Sequence, residues 1–405
     1  MSKLKELIDL LCPNGVEYTT LGNIAEIKRG VRVVKSDREI EGSIPVYQNS
    51  LTPLGYYSKS NFNADTTFVI GAGAAGEIGY SAIPYWGADD CYSIICSSKI
   101  ISKYVYYQLS NNQIFLKSRV RTASIPRLAR TAIEQFPIPI PPIEVQEEIV
   151  RILDTFSAHA AELQAELQAR KEQYEYYRNL LLTFNPSACG CGTDGEQEIK
   201  VTTWGGHSYE ITWKTMEEIC SKICSGGTPS TSVKSYYNGN IPWMRTQEVD
   251  WKEVFDTEMK ITEEAVKNSS AKMIPANCVI IAMYGATAAK CCINKIPLTT
   301  NQACCNLQIN PKIADYRYVY QYICNEYKNL KAMGEGSQSN INAAKIKNYR
   351  IPIPPIELQE KIVAILDRFE TLVNDLTQGL PAEIATVKEQ YEYYRNKLLT
   401  FKQIA

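Results

Sequence analysis

The sequence predicts an α/β (α+β) protein made of two diverged domains, each followed by a long helix, with the two helices pairing as an antiparallel coiled coil. The main reason is an internal repeat. Residues 138–156 (IPIPPIEVQEEIVRILDTF) and 351–369 (IPIPPIELQEKIVAILDRF) match at 15 of 19 positions, and residues 171–184 recur as 388–401 with 13 of 14 matches. The segments that precede each copy are far less alike. A repeat of this kind indicates one architecture used twice, with internal pseudo-twofold symmetry.

The repeat divides the chain into five segments. The unlike segments, 1–137 and 207–350, are predicted to be domains with short strands and many loops, because each has a β-rich, Gly-containing stretch followed by a short helix. The repeated segments, 138–186 and 351–405, are predicted to form the long helices. The polar, Gly-rich residues 187–206 are typical of a linker between the two halves.

Composition favours a globular protein outside the membrane. The chain has 405 residues, a net charge of −1, 45% hydrophobic residues and 21% charged residues. It has no apolar run long enough for a spanning helix, and its start is unlike a signal peptide. Thirteen cysteines without a spaced framework favour a reducing, cytoplasmic location. Because the repeats are acidic, the unlike segments together carry a mild positive charge, weaker than a typical DNA-binding footprint.

Each repeat carries an apolar seam whose steps of four and three residues indicate a coiled coil. The residues predicted to pair the helices or to contact a partner are Ile149, Leu153, Phe156, Leu163, Leu167, Tyr174, Tyr177, Ile362, Leu366, Phe369, Tyr391 and Tyr394. The second seam has one extra step of four, between Leu380 and Ile384, which is a stutter. Gly379 and Pro381 lie there, and Pro381 is expected to kink or interrupt the helix. The alternative is that each helix packs only on its own domain.

The order of these parts resembles the DNA-specificity subunit of type I restriction-modification systems, and the resemblance covers nearly the whole chain. It rests on the two IPIPP helices and, in the second half, on SGGTPS (225–230), IPWMRTQEV (241–249) and TTNQA (299–303). The first half differs at these places, where it has KRGVRV, IPVYQNS and GADDC. The resemblance implies that segments 1–137 and 207–350 are target-recognition domains.

The resemblance also implies a non-catalytic role. Such a subunit binds double-stranded DNA, and each target-recognition domain reads one half of an asymmetric bipartite sequence, while the helices set the unread spacing. Two methyltransferase subunits would dock on the helices, and restriction subunits would join them. The resemblance implies no cofactor in this chain, because S-adenosylmethionine, ATP and Mg²⁺ would bind the partner subunits. No metal site, catalytic residue or membrane contact is expected.

The candidate DNA-binding residues lie in polar loops of both unlike segments. Arginine can clamp phosphates or read guanine, glutamine can read adenine, and small residues let a phosphate approach the backbone. The candidates are Lys28, Arg29, Arg32, Gln48, Asn49, Arg119, Arg121, Ser124, Arg127, Ser225, Gly226, Gly227, Thr228, Arg245, Thr246, Gln247, Tyr284, Ser337, Gln338 and Asn340. Each loop could instead be a solvated surface or ordinary turn chemistry, and it is their place in the repeat that favours a DNA role.

Other functions fit the sequence less well. A single-chain DNA methyltransferase with fused recognition domains would need an NPPY-like catalytic tetrapeptide, which the sequence lacks. A coiled-coil adaptor without a DNA role stays open. Residues 71–76 (GAGAAG) resemble a dinucleotide-binding loop, but Gly79, Pro84 and Gly87 follow too soon for the helix that such a loop requires. The paired cysteines do not have the spacing of a zinc site.

Overall fold

The computed structural model describes residues 2–33, 42–184, 199–204, 206–334, 340–375 and 377–404. These residues form two compact units. Unit 1 comprises Met1–Ala165 together with Ala382–Ala405, and unit 2 comprises Glu166–Pro381. Each unit therefore contains one of the unlike segments and parts of both repeated helices. Within the described residues, no helix is long and apolar enough to cross a membrane.

Unit 1 combines short strands with short helices. Its strands are β1 (Glu17–Thr20), β2 (Ala25–Arg29), β3 (Ile44–Tyr47), β4 (Gly55–Tyr57), β5 (Thr66–Ile70), β6 (Ile78–Ser81), β7 (Trp86–Gly87), β8 (Cys91–Cys96) and β9 (Pro137–Ile140). Its helices are α1 (Ser2–Leu11), α2 (Ser102–Asn111), α3 (Gln113–Lys117), α4 (Arg130–Glu134) and the first part of α5 (Ile143–Leu182). The strands pair in the orders β1-β9, β2-β8-β5-β6 and β4-β3-β7.

Unit 2 has the same kinds of element. Its strands are β10 (Ile199–Trp204), β11 (His207–Thr215), β12 (Cys220–Ser225), β13 (Ile241–Met244), β14 (Glu253–Val254), β15 (Met259–Ile261), β16 (Val279–Ala282), β17 (Cys291–Asn294), β18 (Thr299–Thr300), β19 (Cys304–Ile309) and β20 (Arg350–Ile353). Its helices are α6 (Met216–Ile219), α7 (Glu263–Lys267), α8 (Tyr316–Asn325), α9 (Tyr327–Ala332), α10 (Ala343–Lys347), α11 (Ile356–Asn374), the last part of α5 and the start of α12 (Leu380–Leu399).

The strand order of unit 1 recurs in unit 2. The sheet β2-β8-β5-β6 corresponds to β12-β19-β16-β17, the sheet β4-β3-β7 to β15-β13-β18, and the pair β1-β9 to β11-β20. Strands β5 (TTFVI) and β16 (VIIA) are interior strands buried along their whole length, which explains their continuous apolar sequences. The prediction that two diverged segments share one architecture is therefore confirmed.

A buried glutamine joins the Pro-rich start of the first repeat to unit 1. The Gln146 side chain is fully buried. Its Oε1 accepts from the Ile101 N–H at 2.9 Å, and its Nε2 donates to the carbonyl oxygens of Lys99 (3.0 Å) and Pro141 (2.7 Å). One side chain thereby connects the loop before α2 with the turn that begins α5.

The same glutamine recurs in the second repeat. The fully buried Gln359 accepts from the Asp315 N–H at 2.8 Å and donates to the carbonyl oxygens of Ile313 (3.3 Å) and Pro354 (2.7 Å). The identical Q in both IPIPPIE.QE motifs is therefore a structural residue that anchors each long helix to its unit.

In both units, part of the first repeated helix packs against part of the second. In unit 1, the first part of α5 packs beside the last part of α12, where the rings of Phe156 and Tyr394 stack at 5.5 Å. In unit 2, the last part of α5 packs beside α11, where the rings of Tyr174 and Tyr177 stack on Phe369 at 6.3 and 5.5 Å. In each unit the start of one repeated helix packs beside the end of the other, as antiparallel pairing requires. All twelve predicted interface residues are buried or half-buried. The alternative that each helix packs only on its own domain is wrong.

The second helix is interrupted where the sequence predicts it. Helix α11 ends at Asn374 and α12 begins at Leu380, and the two segments contain 19 and 20 residues, close to the 40 residues of α5. The extra residues of the second repeat therefore fall at the interruption that the sequence predicts. Pro381 is the second residue of α12, where its missing N–H costs no helical hydrogen bond. Gly379 packs closely on the end of α11, since a Cβ there would lie 2.5 Å from the Thr371 carbonyl oxygen.

The predicted linker lies largely outside the described residues, which omit 185–198 and Gly205. Its later residues, Ile199–Trp204, form β10, which pairs with β11 in an antiparallel hairpin. This part belongs to a sheet of unit 2 and is not a plain linker. The other segment boundaries stay predictions.

Most described cysteines are buried free thiols. Burial raises the pKa of the Cys91 thiol to about 12, so this side chain stays neutral at physiological pH and packs as a small apolar group. In the described part of the chain, no group of three or more His, Cys, Asp or Glu side chains could hold a metal ion.

Candidate nucleic-acid interface

Loops at one edge of unit 1 meet around the connection between β7 and β8. Strands β2 and β5 both pair antiparallel with β8, so their carboxyl ends lie at the same edge. We define the unit 1 loop cluster as residues 30–33, 48–54, 71–77, 88–90 and 119–129. Backbone hydrogen bonds join these loops: Ala88 N to Tyr47 O (2.8 Å), Gly71 N to Asp90 O (2.6 Å), Val31 N to Gly87 O (2.9 Å) and Leu128 N to Gly71 O (2.8 Å).

Unit 2 repeats this arrangement with different side chains. We define the unit 2 loop cluster as residues 226–233, 245–252, 283–290, 301–303 and 340–342. The corresponding backbone bonds are Asn301 N to Met244 O (2.9 Å), Met283 N to Ala303 O (2.8 Å), Gly227 N to Thr300 O (2.8 Å) and Ile341 N to Met283 O (2.8 Å). The same backbone framework thus presents two unlike sets of side chains.

The arginine-rich loop of unit 1 is held in a defined shape. Arg121 and Arg127 form an antiparallel bridge, in which the Arg121 N–H donates to the Arg127 carbonyl (2.8 Å) and the Arg127 N–H donates to the Arg121 carbonyl (3.1 Å). Both side chains are exposed, as is that of Ser124 in the loop between them. The predicted candidates Arg121, Ser124 and Arg127 therefore lie together on the surface.

The GAGAAG segment (71–76) supports the arginine-rich loop through backbone hydrogen bonds. It joins the antiparallel strands β5 and β6, so it lacks the strand-to-helix geometry of a dinucleotide-binding loop. The Leu128 N–H donates to the Gly71 carbonyl (2.8 Å), and the Gly73 N–H donates to the Pro126 carbonyl (3.1 Å). Gly73 has a φ of +80°, and a Cβ there would lie 2.8 Å from the Asn49 carbonyl oxygen. These glycines allow three loops to approach one another.

The other basic candidates of unit 1 have different surroundings. Arg119 donates to the Phe115 carbonyl (2.8 Å), and its guanidinium lies 3.5 Å from the centroid of the Phe115 ring. Arg29 donates to the Asp89 carbonyl (2.6 Å), and Arg32 is exposed. Lys28 lines a polar cavity on the face of the β2-β8-β5 sheet, whose lining also includes Glu26 and Asp65, and this places it apart from the loop cluster.

Gln48 and Asn49 follow β3 within the unit 1 loop cluster. Gln48 is half-buried and Asn49 is exposed. Because the Asn49 carbonyl already accepts from the Ala74 N–H, its backbone is held while its amide side chain remains at the surface. Both residues therefore lie in the unit 1 loop cluster, and their contact with DNA stays a prediction.

The predicted role of the SGG segment in unit 2 needs correction. The sequence suggested exposed backbone N–H groups for a phosphate, but Gly226 and Gly227 are buried and the Gly227 N–H donates to the Thr300 carbonyl. A Cβ at Gly226 would lie 2.0 Å from that same carbonyl oxygen. The glycines therefore allow close packing of two loops. Ser225 is half-buried, and Thr228 is exposed and hydrogen-bonded to Gln302.

Arg245 is engaged inside unit 2. Its guanidinium pairs with the carboxylates of Glu258 (2.7 Å) and Glu248 (3.7 Å). The Arg245 N–H also donates to the Glu248 carboxylate at 3.0 Å. A neutralised arginine is poorly suited to attract a phosphate, and the role of Arg245 as a direct DNA contact stays a prediction.

Gln247 is the side chain that Arg245 positions. When the amide is oriented to satisfy both groups, its oxygen accepts from an Arg245 guanidinium nitrogen at 2.8 Å. The Gln247 NH₂ group is then left as a donor on an exposed side chain. Thr246 is half-buried, and its carbonyl accepts from the Thr287 hydroxyl at 2.8 Å.

The remaining unit 2 candidates lie in the two loops that flank this position. Tyr284 is 41% exposed. Asn340 is half-buried, and its Oδ1 accepts from the Gly285 N–H at 3.4 Å. Ser337 and Gln338 lie outside the described residues.

The two loop clusters carry their charged side chains on different loops. In unit 2, residues 226–233, 283–289 and 301–303 contain no charged side chain. The Lys290 ammonium group donates to the Asp250 carboxylate at 2.8 Å, and this bond holds the pKa of that carboxyl below its usual value. Three of the five stretches of the unit 2 cluster are thus uncharged, whereas the unit 1 cluster has four arginines beside Glu77, Asp89 and Asp90.

Sequence reasoning missed several residues of these clusters. Asn301 and Gln302 occupy the central connection of unit 2, and the TTNQA motif that contains them is the signal that could have found them. Ile125 is 53% exposed at the tip of the arginine-rich loop, and Thr287 closes the loop beside Gln247. No local pattern marks Ile125 or Thr287, because their placement depends on contacts between distant loops.

Comparison with known proteins gives concordant results. The family model described as "Type I restriction modification DNA specificity domain" matches residues 13–172 and 210–386. The Escherichia coli type I restriction enzyme EcoR124I/EcoR124II specificity subunit is 36% identical over 318 residues, which cover 75% of this chain and 72% of that protein. A putative type I restriction enzyme specificity subunit of Haemophilus influenzae is 28% identical over 97% of both chains.

The fold is likewise similar to a solved structure. The type I restriction-modification S subunit from M. genitalium superimposes with a TM-score of 0.59 and 14% sequence identity, covering 95% of this chain and 96% of that chain. At this identity the likeness concerns the fold, and it extends over both units and both long helices.

Proposed function

Because the chain belongs to the type I restriction-modification DNA specificity family, we propose that it is the subunit that selects the DNA sequence on which such a complex acts. The observation that carries this proposal is the pair of loop clusters. They share one backbone framework but present unlike side chains, so each unit would read a different half of a bipartite target. Direct readout needs donors and acceptors held at base edges, and the exposed Gln247, Asn49 and Ser124 are groups of that kind.

The proposal assigns catalysis to partner subunits. Two methyltransferase subunits would dock on the repeated helices, and restriction subunits would join them. S-adenosylmethionine, ATP and Mg²⁺ would bind those partners and not this chain. Tyr176 and Tyr393 support this docking, because they are equivalent in the two repeats and are 64% and 60% exposed, while their neighbours Tyr174 and Tyr391 face the helix seam. Exposed tyrosines suit a half-apolar protein interface.

The decisive experiment is to co-express the chain with its type I methyltransferase subunit and map methylated bases by single-molecule sequencing. We expect a split motif with two unlike halves, and no such motif when either protein is omitted. Methylation by the purified chain alone would favour the single-chain methyltransferase. A stable complex without sequence-selective, salt-sensitive duplex binding would favour an adaptor.

A Gln247→Ala variant tests the assignment of one half of the target to unit 2. We expect methylation to become less selective at one position in one half of the motif, while the other half is unchanged. A lost base contact of this kind costs about 1–3 kcal/mol of discrimination, which is roughly tenfold to a hundredfold. The measurement is the methylated fraction at near-cognate sites across a genome. Lys312→Ala, a change at an exposed lysine of unit 2 outside its loop cluster, is the control, and relaxation in both halves would contradict the assignment.

A further inference from the structure

We propose that Arg121 and Arg127 form a clamp for one DNA phosphate group, and that the described residues of the unit 2 loop cluster hold no counterpart of this clamp. The inference rests on the proposed function and goes further, because it assigns these residues to phosphate binding rather than base reading. It also assigns the two units different shares of the electrostatic attraction to DNA.

The geometry of the bridge is the first argument. Arg121 and Arg127 exchange both backbone hydrogen bonds, at 2.8 and 3.1 Å. Residues that pair in this way have Cα atoms roughly 5.5 Å apart, and their side chains leave the ribbon on the same face. Two exposed guanidinium groups are therefore presented side by side, a spacing that suits two charge-assisted contacts to one phosphate.

The charge of the pair is the second argument. Like charges placed directly opposite each other in an antiparallel pair are destabilising. Among the described residues, neither guanidinium group has an acidic partner, whereas the neighbouring Arg130 is paired with Glu134 at 2.7 Å and Arg119 is stacked on Phe115. An anion held between Arg121 and Arg127 would remove the repulsion that the free protein bears.

The support beneath the loop is the third argument. Arg127 is also bridged to Ala72, and the flanking Pro126 and Leu128 are hydrogen-bonded to the glycine-rich segment 71–76. The backbone that carries the two arginines is thus held before any ligand arrives, which lowers the entropy cost of binding.

The equivalent loop of unit 2 is chemically different. Residues 334–342 (GEGSQSNIN) contain no basic residue, and the cluster's nearest arginine, Arg245, is neutralised by two carboxylates. A phosphate would find no matching pair of cations there. The share of the salt dependence that comes from a paired-arginine contact should therefore belong to unit 1.

The test uses the complex of the full chain with its methyltransferase subunit. DNA affinity is measured by fluorescence anisotropy at several salt concentrations, on a duplex with the mapped site and on an unrelated duplex. For Arg121→Gln we expect roughly tenfold weaker binding to both duplexes and a slope of log K against log salt that is smaller by about 0.9. The methylated motif should stay the same.

Stability and a matched variant separate the clamp from a structural role. Arg121→Gln should leave the Tm of the chain unchanged or slightly higher, because it removes a like-charge contact. If Arg121 had a structural role, the same substitution would lower the Tm. Arg130→Gln removes a charge from the same region and should leave the salt slope unchanged.

Three results would overturn the clamp. An unaltered salt slope would exclude phosphate binding by Arg121, and a changed base in the motif would make it a base reader. In both cases a split motif made by the wild-type complex leaves the proposed function intact. If the wild-type complex makes no split motif, both proposals fail together.

Discussion

A chain that ends at Pro381 is expected to lose the fold of its first half, although the deleted residues belong to the end of the chain. Residues 382–405 complete unit 1. Leu398 and Leu399 are 6% and 4% exposed in its core, and the Phe156 ring stacks on Tyr394. The truncation would remove these side chains, expose the apolar surface of unit 1 that they cover, and leave α5 without its partner in unit 1.

Hydrogen bonds add to the apolar contacts of this segment. The Gln108 side chain donates to the Leu399 carbonyl (3.0 Å), the Tyr18 hydroxyl to the Phe401 carbonyl (3.0 Å), and the Val16 N–H to the Lys402 carbonyl (2.8 Å). At about 1.5–3 kcal/mol for each buried large side chain, the loss is on the order of 5–10 kcal/mol. That is comparable to the whole stability of a domain, so unit 1 should unfold.

Hydrogen exchange measured by mass spectrometry tests this prediction. Peptides from residues 1–165 should lose protection in the truncated chain, and peptides from residues 207–350 should keep it. Leu398→Ala should weaken unit 1 by about 2–5 kcal/mol, while Lys397→Ala, at the exposed neighbouring position, should not. Protection that survives in residues 1–165 would show that the end of α12 is not part of this unit's core.

Gln146→Leu is expected to destabilise unit 1 by about 3–5 kcal/mol, because it leaves a buried N–H and two carbonyl groups without their partner. Leucine is of similar size, so the loss reflects hydrogen bonding rather than a cavity. Gln359→Leu should act in the same way on unit 2. The urea midpoint and hydrogen exchange report the size and the place of each effect.

Gln168→Leu provides the matched control for the glutamine variants. Gln168 is on the same helix, is exposed, and is hydrogen-bonded only to the exposed Glu172 at 2.9 Å, so its replacement should change stability by less than about 0.5 kcal/mol. If Gln146→Leu were as mild as this control, the glutamine would not anchor the helix.

Much of the architecture was predictable because its signals are local and repeated. The IPIPP motifs end where helices begin, because proline lacks a backbone N–H and its ring clashes with a preceding helical turn. The steps of four and three residues marked side chains that are buried in the seam, and Gly379 with Pro381 marked the interruption before α12. The identical tyrosines of both repeats were predicted as interface residues, and Tyr174 and Tyr391 do face the seam.

The candidate site was predictable only in part. Loop composition selected Arg121, Arg127 and Gln247 as DNA-binding candidates, and all three lie exposed in the clusters. It did not show that the Gly227 N–H is used inside the protein or that the charge of Arg245 is neutralised by Glu258. The partners Thr300 and Glu258 lie at least ten residues away in sequence, and only Glu248, three residues from Arg245, is a local partner.

The sequence by itself determined the duplicated architecture, the helix seam, the interruption and the family, because each depends only on the order and spacing of residues along the chain. Only the tertiary structure decided which helix end completes which unit, that the glycines serve loop packing, and that Arg121 faces Arg127. These features arise where backbone groups distant along the chain meet and satisfy one another's hydrogen bonds. Such pairings depend on the folded positions of whole loops, and residue types alone do not specify them.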